Sequence, residues 1–142
     1  MANSFTCNIV SAEASIYSGT VEQVIASGKV GDLGILPGHA PLLTELQPGP
    51  VRVIHDGGKE EHFFVSGGFM EVQPDVVTIL ADAASRASDL NEAAAEEARQ
   101  QALQAFNEKS SELDYTRAAA ELAEAVAQLR TIQQLRKKAG KG

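Results

Sequence analysis

Glycine, proline and alanine divide the sequence into two unlike halves. Ten of the 12 glycines lie between residues 19 and 68, all five prolines lie at or before residue 74, and no glycine occurs from residue 69 to residue 139. Alanine occupies 13 of the 51 positions from residue 89 to residue 139. Since glycine and proline punctuate strands and turns whereas alanine favours helices, this pattern predicts a β half followed by an α half, divided near residues 84–89.

The first half contains six segments rich in β-branched or aromatic residues, which predict strands. These segments are residues 5–10, 21–26, 51–55, 62–65, 69–72 and 76–80. Turn-forming residues separate some of them, as in Asp56-Gly57-Gly58-Lys59 and Pro74-Asp75. Short strands with frequent turns are typical of a sandwich or a flattened barrel. Strands followed by helices favour an α+β fold over a parallel nucleotide-binding sheet.

The second half predicts two helices with a break at residues 107–111. Asp89 and Ser111 each stand three residues before an acidic side chain, a spacing that predicts helix caps. A short loop between two helices makes them antiparallel neighbours, so the expected unit is a helical hairpin. An apolar stripe recurs at intervals of three or four along the second helix, formed by Leu122, Val126, Leu129, Ile132 and Leu135.

The end of the second helix is basic, and the first helix is rich in alanine. Because alanine buries little apolar area, we expect such a hairpin to detach more easily than one packed through leucine. After Glu124 no acidic residue occurs, and the cations either offset the helix dipole or dock on an acidic partner, two explanations that stay open. These cations are Arg130, Arg136, Lys137, Lys138 and Lys141.

Composition and motifs argue against several classes of function. The 12 Lys and Arg against 19 Asp and Glu give a net charge of −7, unlike a general nucleic-acid binder. A single cysteine, Cys7, excludes an internal disulfide and a cysteine-based zinc site, and it favours a reducing compartment. Neither a secretory signal nor a run of roughly 20 apolar residues is visible, so we expect any membrane association to go through a partner.

Signals for catalysis or cofactor binding are weak. The three histidines, His39, His55 and His62, lack the spacing of a metal site, and structural hydrogen bonding is the commoner role of such residues. Residues 64–68 do not form Gly-x-Ser-x-Gly, and Gly28-Lys29 lacks both the glycine spacing and the following helix of a phosphate loop. We therefore expect no catalytic residue, no metal and no cofactor.

The most distinctive stretch is GDLGILPGHAPLLT at residues 31–44. Its three glycines and two prolines predict an irregular, rigid loop. The loop carries four apolar residues, which either fill the sandwich core or offer a rigid contact surface to a partner. These are Leu33, Ile35, Leu36 and Leu42.

Together with Pro48-Gly49, SGGFMEV at residues 66–72 and VTILAD at residues 77–82, this stretch resembles the epsilon subunit family of bacterial F-type ATP synthases. The resemblance covers nearly the whole chain, including AQLR at residues 127–130. It implies an N-terminal antiparallel β-sandwich of about ten strands over residues 1–87 and a C-terminal antiparallel α-helical hairpin over residues 88–142. In function it implies a rotor subunit of the central stalk that has no active site of its own.

The family resemblance also implies partners and a location. The sandwich is expected to bind the gamma subunit and the c ring, coupling proton flow to ATP synthesis by the alpha and beta subunits. The hairpin is expected to be able to extend into the catalytic head and inhibit ATP hydrolysis. The expected location is the cytoplasmic side of a bacterial inner membrane, where the chain is peripheral and held through the complex.

Individual residues acquire expected roles from the same resemblance. Asp32 matches an acidic residue that lies against the polar loops of the c ring, and His39 matches a position at the junction of gamma and the c ring. The other positions expected to contact gamma and the c ring are Gly34, Ile35, Leu36, Pro37, Gly38, Ala40 and Pro41. Those expected to face the beta subunit in the extended form are Arg130, Arg136, Lys137 and Lys138.

One departure from the family concerns ATP. Many relatives carry Ile/Leu-Asp-x-x-Arg-Ala at the start of the first helix, where this chain reads LNEAAA at residues 90–95. Asn91 lacks the carboxylate and Ala94 cannot pair with a phosphate, so ATP binding is expected to be weak or absent. A copy of the motif, LDYTRA, occurs at residues 113–118, but it lies at the second helix, where we interpret Asp114 as part of the Ser111 cap.

Composition and periodicity also allow a second hypothesis, a free-standing sandwich-plus-hairpin adaptor that binds an acidic protein partner. The loop at residues 31–44 and the Ser-Gly-Gly motif favour the rotor subunit. The two hypotheses differ in cell fractionation, because a rotor subunit sediments with inner membranes whereas an adaptor stays in the soluble fraction.

Overall fold

The computed structural model describes residues 3–108 and 112–140, with side chains described over 3–108 and 114–137. All six predicted strands are present, with ends shifted by up to three residues. The strands are β1 (Phe5–Ser11), β2 (Ser15–Val21), β3 (Gln23–Gly28), β4 (Gly31–Ile35), β5 (Leu42–Leu46), β6 (Gly49–His55), β7 (Lys59–Val65), β8 (Gly68–Val72), β9 (Val76–Ala81) and β10 (Ala84–Arg86). A 3₁₀ turn, Ala87–Asp89, precedes helices α1 (Glu92–Glu108) and α2 (Glu112–Gly140).

The strands form one sheet that folds over into two layers. Hydrogen-bonded neighbours follow the order β10-β7-β6-β3-β5-β8-β9-β1-β2, and β4 pairs with β3. The link between β3 and β5 is the single pair Gly28–Leu46, where the sheet turns from one layer to the other. The expected fold class, a β-sandwich followed by a helical hairpin, is confirmed. The expectation that it is antiparallel fails for β1 and β9, which run parallel because the chain between them, β2 to β8, forms one long crossover.

The core lies between the two layers and is built from alternate residues of each strand. Its members are Phe5, Cys7, Ile9, Val21, Val24, Ala26, Ile35, Leu46, Val51, Val53, Phe63, Val65, Met70, Val72, Val77, Ile79 and Ala81. Every one of them precedes residue 82, so the sandwich forms this core without the helices. Burial raises the pKa of the Cys7 thiol to about 12, which leaves almost no reactive thiolate at neutral pH.

The prediction of an irregular loop over residues 31–44 is wrong in part. Its two ends are strands, β4 and β5, and only residues 36–41 between them lack regular structure. Gly31 and Gly34 lie within β4 and do not interrupt its pairing with β3. Gly28 lies opposite Gly31, and a Cβ on Gly28 would come within 2.7 Å of the Gly31 carbonyl oxygen.

Helix α1 is capped by a residue other than the predicted Asp89. The 3₁₀ turn takes up Asp89, and the Leu90 N–H donates to the Ala87 carbonyl at 3.1 Å, so the α-helix starts later in the chain. The side-chain oxygen of Asn91 accepts the N–H of Ala94 at 3.0 Å and makes Asn91 the cap. The second predicted cap, Ser111, lies outside the described residues.

The two helices pack through alanine, as expected. Buried alanines lie on both sides of the seam: Ala95 and Ala102 on α1, Ala118 and Ala125 on α2. The predicted stripe is wrong at Val126, which is 46% exposed, because Ala125 occupies the seam at that turn and Val126 points about 100° away from it. Its other members, Leu122, Leu129, Ile132 and Leu135, are half-buried.

Polar and aromatic contacts hold both ends of the hairpin. At the closed end the rings of Phe106 and Tyr115 lie 4.5 Å apart. At the open end Arg136 forms an ion pair with Glu92. In the described part of the chain, neither helix combines the length and the apolar character that crossing a membrane requires.

Candidate partner-binding surfaces

The tip of the β3–β4 hairpin is exposed and carries charged residues on either side of an exposed valine. Lys29 and Val30 form the turn, and the Val30 side chain is fully exposed. Asp32 follows on β4, opposite Ser27. Its carboxylate Oδ2 lies 3.5 Å from Nη2 of Arg130 on α2, with both side chains about half exposed. Two residues that were expected to contact different partners therefore contact each other here.

The segment at residues 36–41 is held in shape by backbone hydrogen bonds. The Gly38 N–H donates to the Pro74 carbonyl at 2.9 Å, and the His39 N–H donates to the Leu36 carbonyl at 3.3 Å. Gly38 has φ +81°, a conformation that favours glycine. Nδ1 of His39 lies 2.7 Å from the Ala40 carbonyl oxygen. The loop is therefore rigid, and it follows the end of β4 that lies away from the β3–β4 tip.

Some apolar residues of this region fill the core and others are exposed to a partner, the two explanations that the sequence left open. Ile35 is 1% exposed and belongs to the core, and Leu33 packs partly against it. Leu36 is 57% exposed and Leu42 is 36% exposed, so both are available to a partner. Of the remaining expected contact positions, Gly34, Ala40 and Pro41 are exposed, whereas Pro37 is half-buried.

An exposed apolar face on β5, β8 and β9 was missed in the sequence. Leu43 is 67% exposed, Phe69 is 49% exposed and Leu80 is 53% exposed. Phe69 lies directly opposite Leu80, and Glu45 lies on the other side of Phe69. We call Leu43, Phe69 and Leu80 the apolar face. The signal that could have revealed it is the alternation of side chains along a strand. In FMEV, Met70 and Val72 fill the core, so Phe69 points to the outer side.

The opposite layer carries the hairpin. Helix α2 packs on β6 and β7, and the outward residues Pro50, His62 and Phe64 are buried there. Thr131 is fully buried and Ala127 is 6% exposed on the side of α2 that faces away from α1. Gln134 and Asp32 line a cavity of about 30 Å³ between α2 and the sheet. The hairpin therefore rests on the sandwich.

The basic end of α2 is partly occupied by ion pairs within the chain. Arg130 contacts Asp32, and Arg136 contacts Glu92. Lys137 is exposed, and the side chain of Lys138 lies outside the described ones. The arginines expected to face a partner thus have acidic neighbours inside this chain when the hairpin is folded down.

The position of the family's nucleotide motif, residues 90–95, forms the start of α1. Asn91 uses its side-chain oxygen to cap α1, and Ala94 is exposed. The nearby guanidinium of Arg99 lies 2.5 Å from the Glu96 carboxylate, and this hydrogen bond lowers the pKa of Glu96. In the part of the chain that the structure describes, no group of three His, Cys, Asp or Glu side chains could hold a metal ion.

His55 makes contacts typical of a structural residue. Its Nδ1 lies 3.0 Å from Asp56 and its Nε2 lies 3.0 Å from Glu61. Arg86 also pairs with Glu61 at 2.8 Å and places its guanidinium carbon 5.3 Å from the Phe63 ring centroid. These contacts tie β10 to β7 and to the end of β6.

Two family models match successive parts of the chain. Residues 4–87 match the family described as the ATP synthase delta/epsilon chain, beta-sandwich domain. Residues 88–133 match the family described as the ATP synthase delta/epsilon chain, long alpha-helix domain. The ATP synthase epsilon chain of Chromohalobacter salexigens is 73% identical over 135 residues, covering 95% of this chain and 96% of that protein.

Two solved structures with the same fold are chains of mitochondrial complexes. A chain in the Euglena gracilis mitochondrial ATP synthase superposes with a TM-score of 0.77 at 20% identity, covering 98% of this chain and 83% of that chain. A chain in the central stalk and c-ring structure of the Tetrahymena thermophila mitochondrial ATP synthase superposes with a TM-score of 0.58 at 14% identity, covering 92% and 95%. At these identities the likeness concerns the fold.

Proposed function

This chain belongs to the ATP synthase delta/epsilon chain family, and we infer from that membership that it is a non-catalytic subunit of the central stalk of an ATP synthase. The observation that carries this inference is the 73% identity to a bacterial epsilon chain over 95% of the sequence. In this role the chain turns with the rotor, and the coupling of proton flow to ATP synthesis passes through the complex that contains it.

We propose that the sandwich, residues 1–87, binds the gamma subunit and the c ring through three surfaces: the apolar face, the β3–β4 tip and the loop at residues 36–41. The apolar face is suited to gamma, because a contiguous exposed apolar patch is typical of a protein interface. The β3–β4 tip is suited to the polar loops of the c ring, since it presents Asp32. The loop at residues 36–41, at the other end of β4, presents His39 and exposed backbone and is proposed to lie at the junction of gamma and the c ring. Lys29 and Glu45 pair at 3.2 Å where the tip meets the apolar face.

The hairpin, residues 88–142, is proposed to be regulatory. In the folded-down form Arg130 and Arg136 are paired within the chain. On extension they are proposed to exchange these partners for acidic groups of the beta subunit in the catalytic head, together with Lys137 and Lys138, and to inhibit ATP hydrolysis. Exposed ion pairs contribute about 1 kcal/mol or less each, so such an exchange is close to balanced, as a reversible switch requires.

Control of the hairpin by ATP is not part of this proposal. The motif position has Asn91 where relatives have a carboxylate, and its side-chain oxygen is used by the helix cap. Ala94 offers no charge to a phosphate. We expect no heat of ATP binding in calorimetry at micromolar concentrations, and a titration with a Kd in the low micromolar range would contradict this.

Cell fractionation distinguishes the rotor subunit from the adaptor. We expect the chain to sediment with inner membranes, to be released by washing at low ionic strength with a chelator, and to rebind with the other stalk and head subunits. It is held on the cytoplasmic side through its partners alone. A chain that stays in the soluble fraction throughout would favour the adaptor and contradict the proposed function.

A further inference from the structure

The contact between Asp32 and Arg130 joins the hairpin to the sandwich at the tip proposed to face the c ring. Asp32 lies on β4 beside the exposed turn, and Arg130 lies on the last part of α2. Their charged atoms are 3.5 Å apart, and the side chains of Arg130 and Asp32 keep 45% and 55% of their surface exposed. A pair with this exposure forms and breaks readily, because solvent and salt both screen it.

The side chains that α2 contributes to the contact beneath this pair are small. The side of α2 that faces the sheet buries Ala127 and Thr131, and Thr131 uses its hydroxyl within its own helix, donating to the Ala127 carbonyl at 2.8 Å. The next residue on this face, Gln134, lines a cavity of about 30 Å³. Small side chains on this face of α2 limit the apolar stabilisation to that of the sheet residues beneath them, chiefly Phe64, so the ion pair adds measurably to what holds the hairpin down.

We propose that the Asp32–Arg130 ion pair is a latch that holds the hairpin on the sandwich and couples it to the tip. While the latch is closed, Asp32 is engaged by the chain's own arginine, and Arg130 is engaged by the sandwich. Release of the hairpin therefore frees an anionic contact at the tip and a cationic contact on the helix in a single event. The partner side of this inference rests on the proposed function, whereas the latch itself concerns the isolated chain.

Thermodynamic linkage predicts how a partner at the tip shifts the equilibrium between docked and released hairpin. A basic group of a partner that binds Asp32 competes with Arg130, so it weakens hairpin docking by the same factor by which docking weakens its own binding. Raised salt has a similar effect on the latch because it screens an exposed pair. The equilibrium between docked and released hairpin is therefore expected to respond to contacts at the tip.

The latch can be tested in the full-length isolated chain with a buried thiol as reporter. Thr131→Cys is nearly isosteric and places a reporter thiol on the face of α2 that the sheet covers, whereas Cys7 stays silent in the core. We expect Asp32→Asn or Arg130→Gln to raise the rate at which an aromatic disulfide reagent modifies the reporter thiol about two- to fivefold at low salt. The double variant should react no faster than either single variant.

A matched control breaks a different exposed pair near the same tip. Glu45→Gln removes the pair between Lys29 and Glu45, whose side chains are 67% and 50% exposed and which does not involve the hairpin. It should leave the modification rate of the reporter thiol unchanged. Single variants that react at the parent rate, effects that add in the double variant, or a Glu45→Gln effect of equal size would each overturn the latch.

A second measurement tests the coupling to the partner. Membranes that hold the c ring and the gamma subunit, but neither this chain nor the alpha and beta subunits, are titrated with each full-length variant, so that Arg130 has no beta subunit to contact. We expect Arg130→Gln to bind about two- to fivefold more tightly than the parent chain and Asp32→Asn to bind more weakly. Equal binding of all three would overturn the coupling. If none of the chains binds while the reporter thiol reacts at the expected rates, the proposed function fails and the latch stands.

Discussion

Gly68→Ala is expected to destabilise the sandwich by about 3 kcal/mol or more, the largest stability effect that we predict for a single methyl group. Gly68 opens β8 with φ +133°, opposite Ala81 on β9. A Cβ at this position would overlap the Leu80 carbonyl oxygen and lie 3.0 Å from the Ala81 Cα. Both obstacles are backbone atoms of a paired strand, so relief requires the β8–β9 ladder to separate.

Urea unfolding measures this effect, with the exposure of Cys7 as a reporter specific to the sandwich. At a typical slope of about 1–3 kcal/mol per M, the loss should lower the midpoint by more than about 1 M. Gly58→Ala is the matched control, because Gly58 has φ +118° but open space around its would-be Cβ. Its cost should stay near about 1 kcal/mol. Equal losses in the two variants would show that backbone strain, rather than the close approach of β9, explains the requirement for glycine.

Phe69→Thr is expected to weaken binding to the gamma subunit about 30-fold while leaving the sandwich folded. Phe69 is next to Gly68 in the sequence, yet its side chain points outwards and lies at the centre of the apolar face, opposite Leu80. Aromatic residues at the centre of an interface commonly contribute about 2 kcal/mol or more, which corresponds to a factor of about 30. Threonine keeps the strand propensity and removes the apolar contact.

The measurement is calorimetric titration of the full chain into a head of alpha, beta and gamma subunits that lacks it. Adding Leu80→Thr should extend the loss beyond about 100-fold, since both side chains belong to one face. Val126→Thr is the control, because Val126 is similarly exposed, at 46%, but lies on the hairpin. It should change the affinity by less than about twofold. An unchanged affinity for Phe69→Thr would remove the apolar face from the gamma interface.

The division into sandwich and hairpin could be predicted from the sequence because each half has a composition that supports only one kind of structure. The strands missed by pattern alone were β2, β4, β5 and β10, and the family resemblance supplied their approximate number. In β4 the two glycines, Gly31 and Gly34, were taken as a loop signal, although both lie in the ladder with β3. In β2, SIYSGTV, serine and glycine dilute the alternation.

Within the candidate site, the sequence indicated which residues matter better than it indicated which residues contact one another. Asp32 and Arg130 were expected at two different partners, and nothing local indicates that residues so far apart in the chain lie 3.5 Å from one another. The helix cap was also not fixed by residue type, because Asp89 and Asn91 both suit that role. Asp89 is taken up by the 3₁₀ turn, which leaves Asn91 as the cap. Tertiary packing, rather than local preference, settles such choices.

The central claim is that the sandwich anchors the chain to the rotor and the hairpin inhibits ATP hydrolysis. It is tested most directly by the rate of ATP hydrolysis of a reconstituted head of alpha, beta and gamma subunits, with either the full chain or a chain that ends at Ala87. The shorter chain retains the whole sandwich core. We predict that both chains bind and that only the full chain slows hydrolysis. Binding of both without inhibition would contradict the role of the hairpin, and failure of both to bind would contradict the stalk assignment itself.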